Sequence, residues 1–495
     1  MTDAFSGLRR SVHLPLFGLS SVVVLTAIIT LTAGCGSGGS PSGPKLSGNT
    51  NVTVMVSGTA NDQLQLMQAG FTNLTLTSQS GKIVNLLSTQ VAQSAEFIHI
   101  NGAAEPLLTV SVPQDVYTAA ASTNSSFQFA CATLYPPNNL ITSTFGDPFG
   151  GSNATINFPG PITVTGDSMV LSLELIVSQS VTLSTCYNPD GQYTYGFAPI
   201  FNLAPLTLLP EPTNPENGKL PGVHGEVATV DAGTNRFTIS LPVEEGPETL
   251  SVAANSATVY QGINDFSALA VGTFVDMDVA IQSDGSLLAT RIAVEDPGAT
   301  NVLTGPLIYV VASVTDINMV PRQEMGASFL KQEVFGGYPF NYGSTVFQIS
   351  GGQSNLQSLP FTPSFTASNM VAGQNVYVSA PTIPEGGLFV DARTITLIPQ
   401  TIDGTIAATS NSGNFAVYTV TLAPYDLFPT FAVQAEQITL LTNPSQVEVY
   451  TDSSTQMLNR EALTVGNVLR FYGLVFNDNG TLRMDCAQVN DGVTE

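Results

Sequence analysis

Along most of this chain apolar and polar residues alternate with a period of two, and no long stretch carries a helical period. Val52, Val54 and Val56 alternate with Thr53, Met55 and Ser57, and Leu74 and Leu76 with Thr75 and Thr77. Val110 and Val112, then Phe127 and Phe129, repeat the pattern, and Leu171, Leu173, Leu175 and Val177 extend it. Thr and Ser on the outward positions suit half-buried strands. The pattern predicts an antiparallel β-sandwich over residues 51–208. It ends at residues 209–222, LPEPTNPENGKLPG, where four prolines fix φ and remove backbone donors. Neither helix nor sheet is expected to continue through that linker.

Beyond the linker the sequence repeats itself. The first copy opens with Gly225-Glu226-Val227-Ala228-Thr229-Val230-Asp231 and Phe237 to Leu241, then reaches Leu269-Ala270-Val271-Gly272 and a hairpin at Asp284-Gly285. The second opens near Gly305 and reaches Met370-Val371-Ala372-Gly373 and Gly386, and the third opens at Gly404 and reaches Leu463-Thr464-Val465-Gly466 and Gly480. The two closing glycines of each copy lie 13, 13 and 14 residues apart, whereas the opening glycine precedes the first of them by 47, 68 and 62. Length variation therefore sits mid-copy, where loops absorb it at low cost and sheet registers do not. The expected units are barrels over 223–298, 299–400 and 401–495, the second with an insertion at 322–360.

The N-terminus carries a different signal. Arg9 and Arg10 precede a mostly apolar run from Leu14 to Thr32, and Leu31-Thr32-Ala33-Gly34-Cys35 follows. This exit resembles the lipobox of bacterial lipoproteins, with Thr32 where Leu is commonest. The resemblance implies a signal peptide over 1–34, cleavage before Cys35 and acylation of that cysteine. Residues 35–50, rich in Gly, Ser and Pro, then form a flexible tether with a reach on the order of 20 Å. The expected address is the cell envelope outside the cytoplasm, at the outer membrane or cell surface ahead of the inner membrane.

Composition narrows the function classes. Charged residues make up 10% of the 495, against about 25% in ordinary domains. There are 37 acidic and 13 basic residues, a net charge of −24, which opposes any footprint on nucleic acid. A membrane is met through the lipid rather than by charge, and an envelope protein or a glycan is the remaining class of partner. Four cysteines exclude a disulfide-dense scaffold. Cys131 and Cys186 share the sandwich and are expected to form one disulfide in an oxidising compartment, with Cys486 left as a packed thiol.

Catalytic chemistry is sparse. Past the signal region the chain has two histidines, His99 and His224, and no Trp. A Ser/His/Asp or Cys/His device needs a positioned base, and both histidines read as structural. Gly166-Asp167-Ser168-Met169 reads as a turn entering a strand. Asp276 and Asp278 point to one side of a strand whose other side carries Val275, Met277 and Val279. They read first as a solvated strand face and second as weak candidate ligands for Ca²⁺, which needs six to eight oxygens. No other metal site and no cofactor is expected.

The G-x-V-x-x-V-D opening, Phe-rich second strand, L-x-x-G-x-x-V-x-V segment and Gly hairpin are similar to a family of small bacterial domains of unknown function that occur in tandem in exported proteins. With the strand–strand–strand–short helix–strand–strand order, the resemblance implies OB-like barrels. The first unit resembles an uncharacterised lipoprotein domain with a transthyretin-like sandwich, through Val112-Pro113-Gln114-Asp115-Val116-Tyr117. Neither resemblance brings a catalytic residue. The expected fold is thus all-β, one sandwich and three OB-like barrels. The leading function is a non-enzymatic envelope scaffold or binding protein. The alternatives are a glycan-binding or adhesion module and a carboxylate-dependent polysaccharide hydrolase. Phe329, Phe335, Tyr338, Phe340, Tyr342 and Phe347 in the insertion form the candidate partner surface, with burial as a lid or extra hairpin the competing expectation.

Overall fold

The computed structural model describes residues 46–58, 64–87, 93–97, 104–131, 153–180, 198–206, 219–241, 249–319, 322–326, 338–350, 356–381, 390–422, 426–432, 440–457 and 461–491. Among them the fold is nearly all β. No helix among the described residues is long and apolar enough to cross a membrane.

The N-terminal unit is a sandwich built as the alternation requires. The strand Asn49–Gly58 pairs antiparallel with Glu105–Pro113 and parallel with Ser168–Leu175. Ile200–Pro205 continues that layer, and Asn153–Asn157 joins it to the long pair Leu64–Ser78 and Asp115–Cys131. Val52, Val54 and Val56 meet Phe71, Leu74, Leu76, Leu171, Leu173 and Leu175 in one core, closed by a cluster of Phe71, Phe97 and Phe201. The buried Tyr117 donates its hydroxyl hydrogen to the Pro113 carbonyl at 2.8 Å, a tyrosine corner that anchors the connection between two strands. Gly166, at φ +78°, and Asp167 form the turn into Ser168–Leu175. The Cys131 side chain and Cys186 lie outside the described residues.

Each repeat closes a barrel of one connectivity. In the first, Lys219–Asp231 pairs with Arg236–Ser240, which pairs with Thr249–Ala253. Lys219–Asp231 also pairs with Phe274–Ile281, itself paired with Leu287–Ala293. Parallel pairing of Ala253 with Leu288 shuts the ring. The order first–second–third–fifth–fourth, with third and fifth strands parallel, is that of an OB-like barrel. The third repeat copies it through Gln400–Ser412, Phe415–Leu422, Gln446–Thr451, Val468–Asp478 and Thr481–Asp491. In the second, the ring runs through Asn301–Val311, Asp316–Met319, Tyr338–Asn341 and Asn375–Ala380, and its fifth strand is split into Val390–Asp391 and Thr394–Leu397.

The glycines of the repeat mark one shared joint. Every first strand shifts register two residues past its opening glycine, at Val227, Leu307 and Ile406. The carbonyls of those residues accept the amides of Gly272, Gly373 and Gly466 at 2.8, 2.7 and 2.9 Å. A Cβ on Gly225 would lie 2.6 Å from Ile239 Cδ1, and one on Gly404 would strike the Thr421 carbonyl, so close strand approach demands glycine there.

Two boundaries differ from expectation. The linker 209–222 does not exclude sheet throughout: Lys219–Asp231 begins inside it, and Pro221 and Gly222 sit at a register shift between Leu220 and Val223, where a missing donor breaks no ladder bond. The segment 322–360 is not a simple insertion either. It supplies the third strand Tyr338–Asn341 of the second barrel and the short strand Val346–Ile349 that runs parallel to the fifth. Tyr338, Phe340 and Tyr342 are buried in that core. Phe347 is half-buried, edge-on to Tyr342 and Phe365 at 6.1 and 5.8 Å. Tyr338 and Phe340 leave the candidate partner surface because a third strand must send alternate side chains inward to close the barrel, Tyr342 because it is buried in the same core, and Phe347 because its ring packs against Tyr342 and Phe365. Phe329 and Phe335 lie outside the described residues.

The units share cores. Met55 and Val170 of the sandwich belong to the apolar cluster of the first barrel. Phe415, Val417, Tyr450, Leu474 and Phe476 of the third barrel belong to that of the second. In return Val371 of the second barrel enters the third barrel's core beside Phe428.

Gly373, at φ +96°, has Phe428 Cδ1 2.6 Å from a would-be Cβ, whereas Gly466, also at φ +96°, has open space. Both alanine substitutions incur left-handed strain of about 1–2 kcal/mol. Gly373→Ala adds an overpacking cost of about 1–3 kcal/mol. Thermal unfolding should show the larger loss for Gly373→Ala. Equal losses would mean that Phe428 yields and the seam is loose.

Candidate functional site

The most concentrated buried chemistry lies on the outer face of the first barrel. Strand pairing sets Asp276 opposite His224 on one side and Ala293 on the other, and Asp278 opposite Arg291. Three adjacent strands thus line up His224, Asp276, Asp278 and Arg291 on one face, while Val275, Met277 and Val279 enter the core. Asp276 and Asp278 do share a side, as alternation requires. That side is covered, however, so the expected solvated strand face is corrected.

Arg291 organises the face. Its Nη2 donates to Asp276 Oδ2 at 2.7 Å and to Asp278 Oδ1 at 3.3 Å, and its Nε donates to Asp278 Oδ2 at 2.9 Å. Ser350 of the second barrel donates to Asp276 Oδ2 at 3.4 Å, and the Gly222 amide donates to Asp278 Oδ1 at 3.2 Å. His224 Nε2 stands 3.6 Å from Asp276 Oδ1. Asp276 and Arg291 are 3% and 5% exposed, so this is an interior ion pair.

Neighbouring units supply the cover. Tyr377 of the second barrel packs with Phe274, Val302, Met325 and Ile398, its ring 6.3 Å from that of His224. Tyr472 of the third barrel faces Asp278, and a Cβ on Gly222 would lie 3.5 Å from its hydroxyl. Gln323 of the second barrel donates to Glu105 of the sandwich at 3.2 Å. All four units therefore meet at or beside this face.

The electrostatics follow from the burial. Desolvation alone would raise the Asp276 pKa, but Arg291 and then His224 hold it below the usual carboxylate value. Desolvation works against the charged Arg291, yet Asp276 and Asp278 raise its pKa above the ordinary arginine value. Tyr377 and Tyr472 are pushed up, first by burial and then by nearby carboxylates. Glu295, half-buried just past the fifth strand, is raised to about 7 by desolvation and then by Asp276, with Arg291 opposing.

This arrangement suits a latch better than a reactive centre. Asp276 Oδ2 and both oxygens of Asp278 are taken by a guanidinium already in place, and Asp276 Oδ1 lies 3.6 Å from His224, an arrangement that does not favour Ca²⁺ on that pair. Among the described residues no cluster of three or more His, Cys, Asp or Glu is arranged to hold a metal ion. His224 is structural in position, and His99 lies outside the described residues. Cys486 is a buried free thiol, its pKa raised by burial.

A second feature lies where barrels two and three adjoin. A cleft of about 280 Å³ is lined by Ser358 and Pro360 from the second barrel, and by Ser412, Asn414 and Phe415 from the first hairpin of the third. Asp452 completes it, one carboxylate oxygen accepting from the Ser454 amide and hydroxyl. No basic side chain lines it. Neither the cover over Asp276 nor this cleft was read from the sequence, since both depend on contacts between units.

Removing the guanidinium tests the latch. Arg291→Leu leaves Asp276 buried without its cation and should cost about 3–5 kcal/mol in urea unfolding at neutral pH. Adding Asp276→Asn should recover part of the loss. Because the folded-state pKa of Asp276 is depressed, its contribution is present at neutral pH and is lost as acid carries the pH down through that folded value. A wild-type chain that holds its full stability in acid would contradict the assignment.

Residues 224–293, spanning His224 to the end of the first barrel's fifth strand, match a family model described as a domain of unknown function, DUF5666. No curated protein matches the chain. What is established by likeness is that this first barrel is similar to DUF5666 domains.

Proposed function

We propose that this protein is a non-enzymatic lipoprotein of the bacterial cell envelope, a rigid scaffold or binding body held to a membrane through acylated Cys35. The observation that carries the reading is the latch. Asp276 and Arg291, a buried ion pair of the first barrel, are covered by the second barrel through Ser350 and do not line an open cleft. The hydrolase alternative needs two carboxyl groups facing each other across a cleft wide enough for a sugar. Asp276 and Asp278 are instead clamped side by side on one guanidinium. The lipobox-like exit and the Gly/Ser/Pro tether support the address, and the surplus of acid over base supports a lipid rather than an electrostatic hold on the bilayer.

Metabolic labelling with a palmitate analogue checks the anchor. The wild-type chain should take up label and sediment with membranes. Cys35→Ser should lose the label and accumulate as the uncleaved precursor. Absence of label on the wild type would end the lipoprotein reading.

The cleft between the second and third barrels favours one second reading, glycan binding. Asn414, Ser412 and Asp452 offer an amide, a hydroxyl and a carboxylate, the groups that meet sugar hydroxyls, and the volume fits one sugar unit. The first hairpin of an OB-like barrel is also a common place for ligand contact. Glycan-array binding that falls at least tenfold in Asn414→Ala and Asp452→Ala would support it. Binding unchanged by both variants would assign any glycan contact elsewhere.

A further inference from the structure

The seam between the second and third barrels is finished by buried glutamines. Gln374 accepts the Val371 amide at 2.8 Å and donates to the Val475 carbonyl of the third barrel at 2.9 Å. Gln400, which opens the third barrel, donates to the Gly373 carbonyl and accepts the Asn375 amide, both at 2.9 Å. Two residues, Ile398 and Pro399, separate that opening strand from the fifth strand of the second barrel. With the exchanged core residues around them, these bonds make the last two barrels one body. Met55 and Val170 do the same for the sandwich and the first barrel.

The seam between the first and second barrels is built differently. Seven residues, 294–300, separate its strands. Its apolar cluster sets Phe274 of the first barrel against Val302, Met325 and Tyr377 of the second, with Ile398. Polar contacts across it are long, Ser350 to Asp276 at 3.4 Å and Gln323 to Glu105 of the sandwich at 3.2 Å. Around it, among the described residues, four buried polar atoms stand without a hydrogen bond. They are His224 Nδ1 and Arg291 Nη1 of the first barrel, and Tyr377 Oη and Asn301 Oδ1 of the second. Asp276 Oδ1 adds a fifth, with His224 Nε2 at 3.6 Å its nearest ionic neighbour. At the other seam Asn375 Oδ1 is in this state, but the nitrogen of the same amide donates to the Pro399 carbonyl at 3.2 Å. Each such atom gives up water when a seam closes and receives no bond in return.

We propose that the molecule articulates at the seam between its first and second barrels: the sandwich and first barrel move as one rigid body, the second and third barrels as another, and the cover over His224, Asp276 and Arg291 lifts to admit water. Opening loses the contacts of Phe274 and rehydrates the orphaned groups, so the margin for closure is narrow. The Asp276–Arg291 pair lies wholly within the first barrel and stays intact through the motion. The link is fixed to the first barrel by the Val294 amide on the Gln261 carbonyl, and to the second by Asp296 on Ser379 and Arg393. The pivot therefore falls between residues 294 and 296, a short connecting segment of the kind that absorbs hinge motion. The same motion at the other seam would pull Val371 out of one core and Phe476 out of another. The articulation belongs to the fold and does not depend on acylation of Cys35.

Iodoacetamide labelling of buried cysteines in the full chain, located by peptide mass mapping, tests the proposal. Ser350→Cys reports the first of these seams and Val371→Cys the other, both sites being buried. Where reclosing outpaces labelling, the rate tracks the open population. Without denaturant, Ser350→Cys should label about tenfold or more faster than Val371→Cys. Adding Tyr377→Phe deletes a hydroxyl that closure leaves without a partner. It should slow labelling of Ser350→Cys about fivefold and leave that of Val371→Cys unchanged. Met325→Cys, in the apolar cover, should follow Ser350→Cys and reads the seam without touching the Asp276 contact. Equal rates at the two seams would overturn the proposal. Faster labelling or failure to fold with Tyr377→Phe would do so too, since the hydroxyl would then have a partner in the closed form. Slowing shared by Val371→Cys would likewise end it, by placing the effect in unfolding of the whole chain.

Discussion

A guanidinium taken out of water loses hydration worth several kcal/mol, and Arg291 recovers it only because two carboxylates and three adjacent strands are aimed at it. That requirement constrains much of the molecule. The strand Phe274–Ile281 must keep its register so that Asp276 and Asp278 both face outward, and the second barrel must supply cover so that the pair stays dry. A buried ion pair is weak evidence for stability, and breaking it by removing one partner is costly because the other charge is left buried. Here both partners belong to the first barrel, and Ser350 of the second reaches the pair through Asp276.

The apolar seams supply the bulk of the association, and they are not equivalent. The sandwich and first barrel merge through Met55 and Val170, a contact between sheet faces. The second and third barrels exchange parts: aromatics of the third enter the second's core, while Val371 of the second enters the third's. Arg483, paired with Glu448 and Asp478 and lying 5.3 Å from the Phe361 ring, finishes that seam with a charge at the edge of an aromatic cluster. The polar latch and the greasy seam divide the labour. One sets geometry and the other supplies most of the free energy.

Much of the fold was legible in the chain. Period two gave the strands, and the glycines at 225, 305 and 404 marked the copies because each precedes the same register shift. A further signature went unread: Thr258, Thr345 and Thr455 donate to the carbonyls of Ala289, Ala392 and Cys486 at 2.7, 2.7 and 2.8 Å, each just before a short strand parallel to the fifth. Threonine is too common for that spacing to stand out by eye. The aromatic run in the second copy misled for a physical reason. Tyr338 and Phe340 fill a barrel strand of four residues, too brief to show alternation against its Gly-rich surroundings. The outward face of Asp276 and Asp278 was correctly deduced, but alternation tells which side a residue takes and never what covers that side.

The exchange of parts across the second seam has a historical consequence. The three barrels have the internal similarity of duplicated units, and a fresh duplicate is a bead that can be lost, gained or traded. Once Val371 became core for its neighbour and Phe428 closed over Gly373, the last two beads ceased to be separable. Deleting or shuffling either would open a hole in the other. Such an array can still diversify along its loops, where the copies already differ in length, but its order and number are frozen by its own packing.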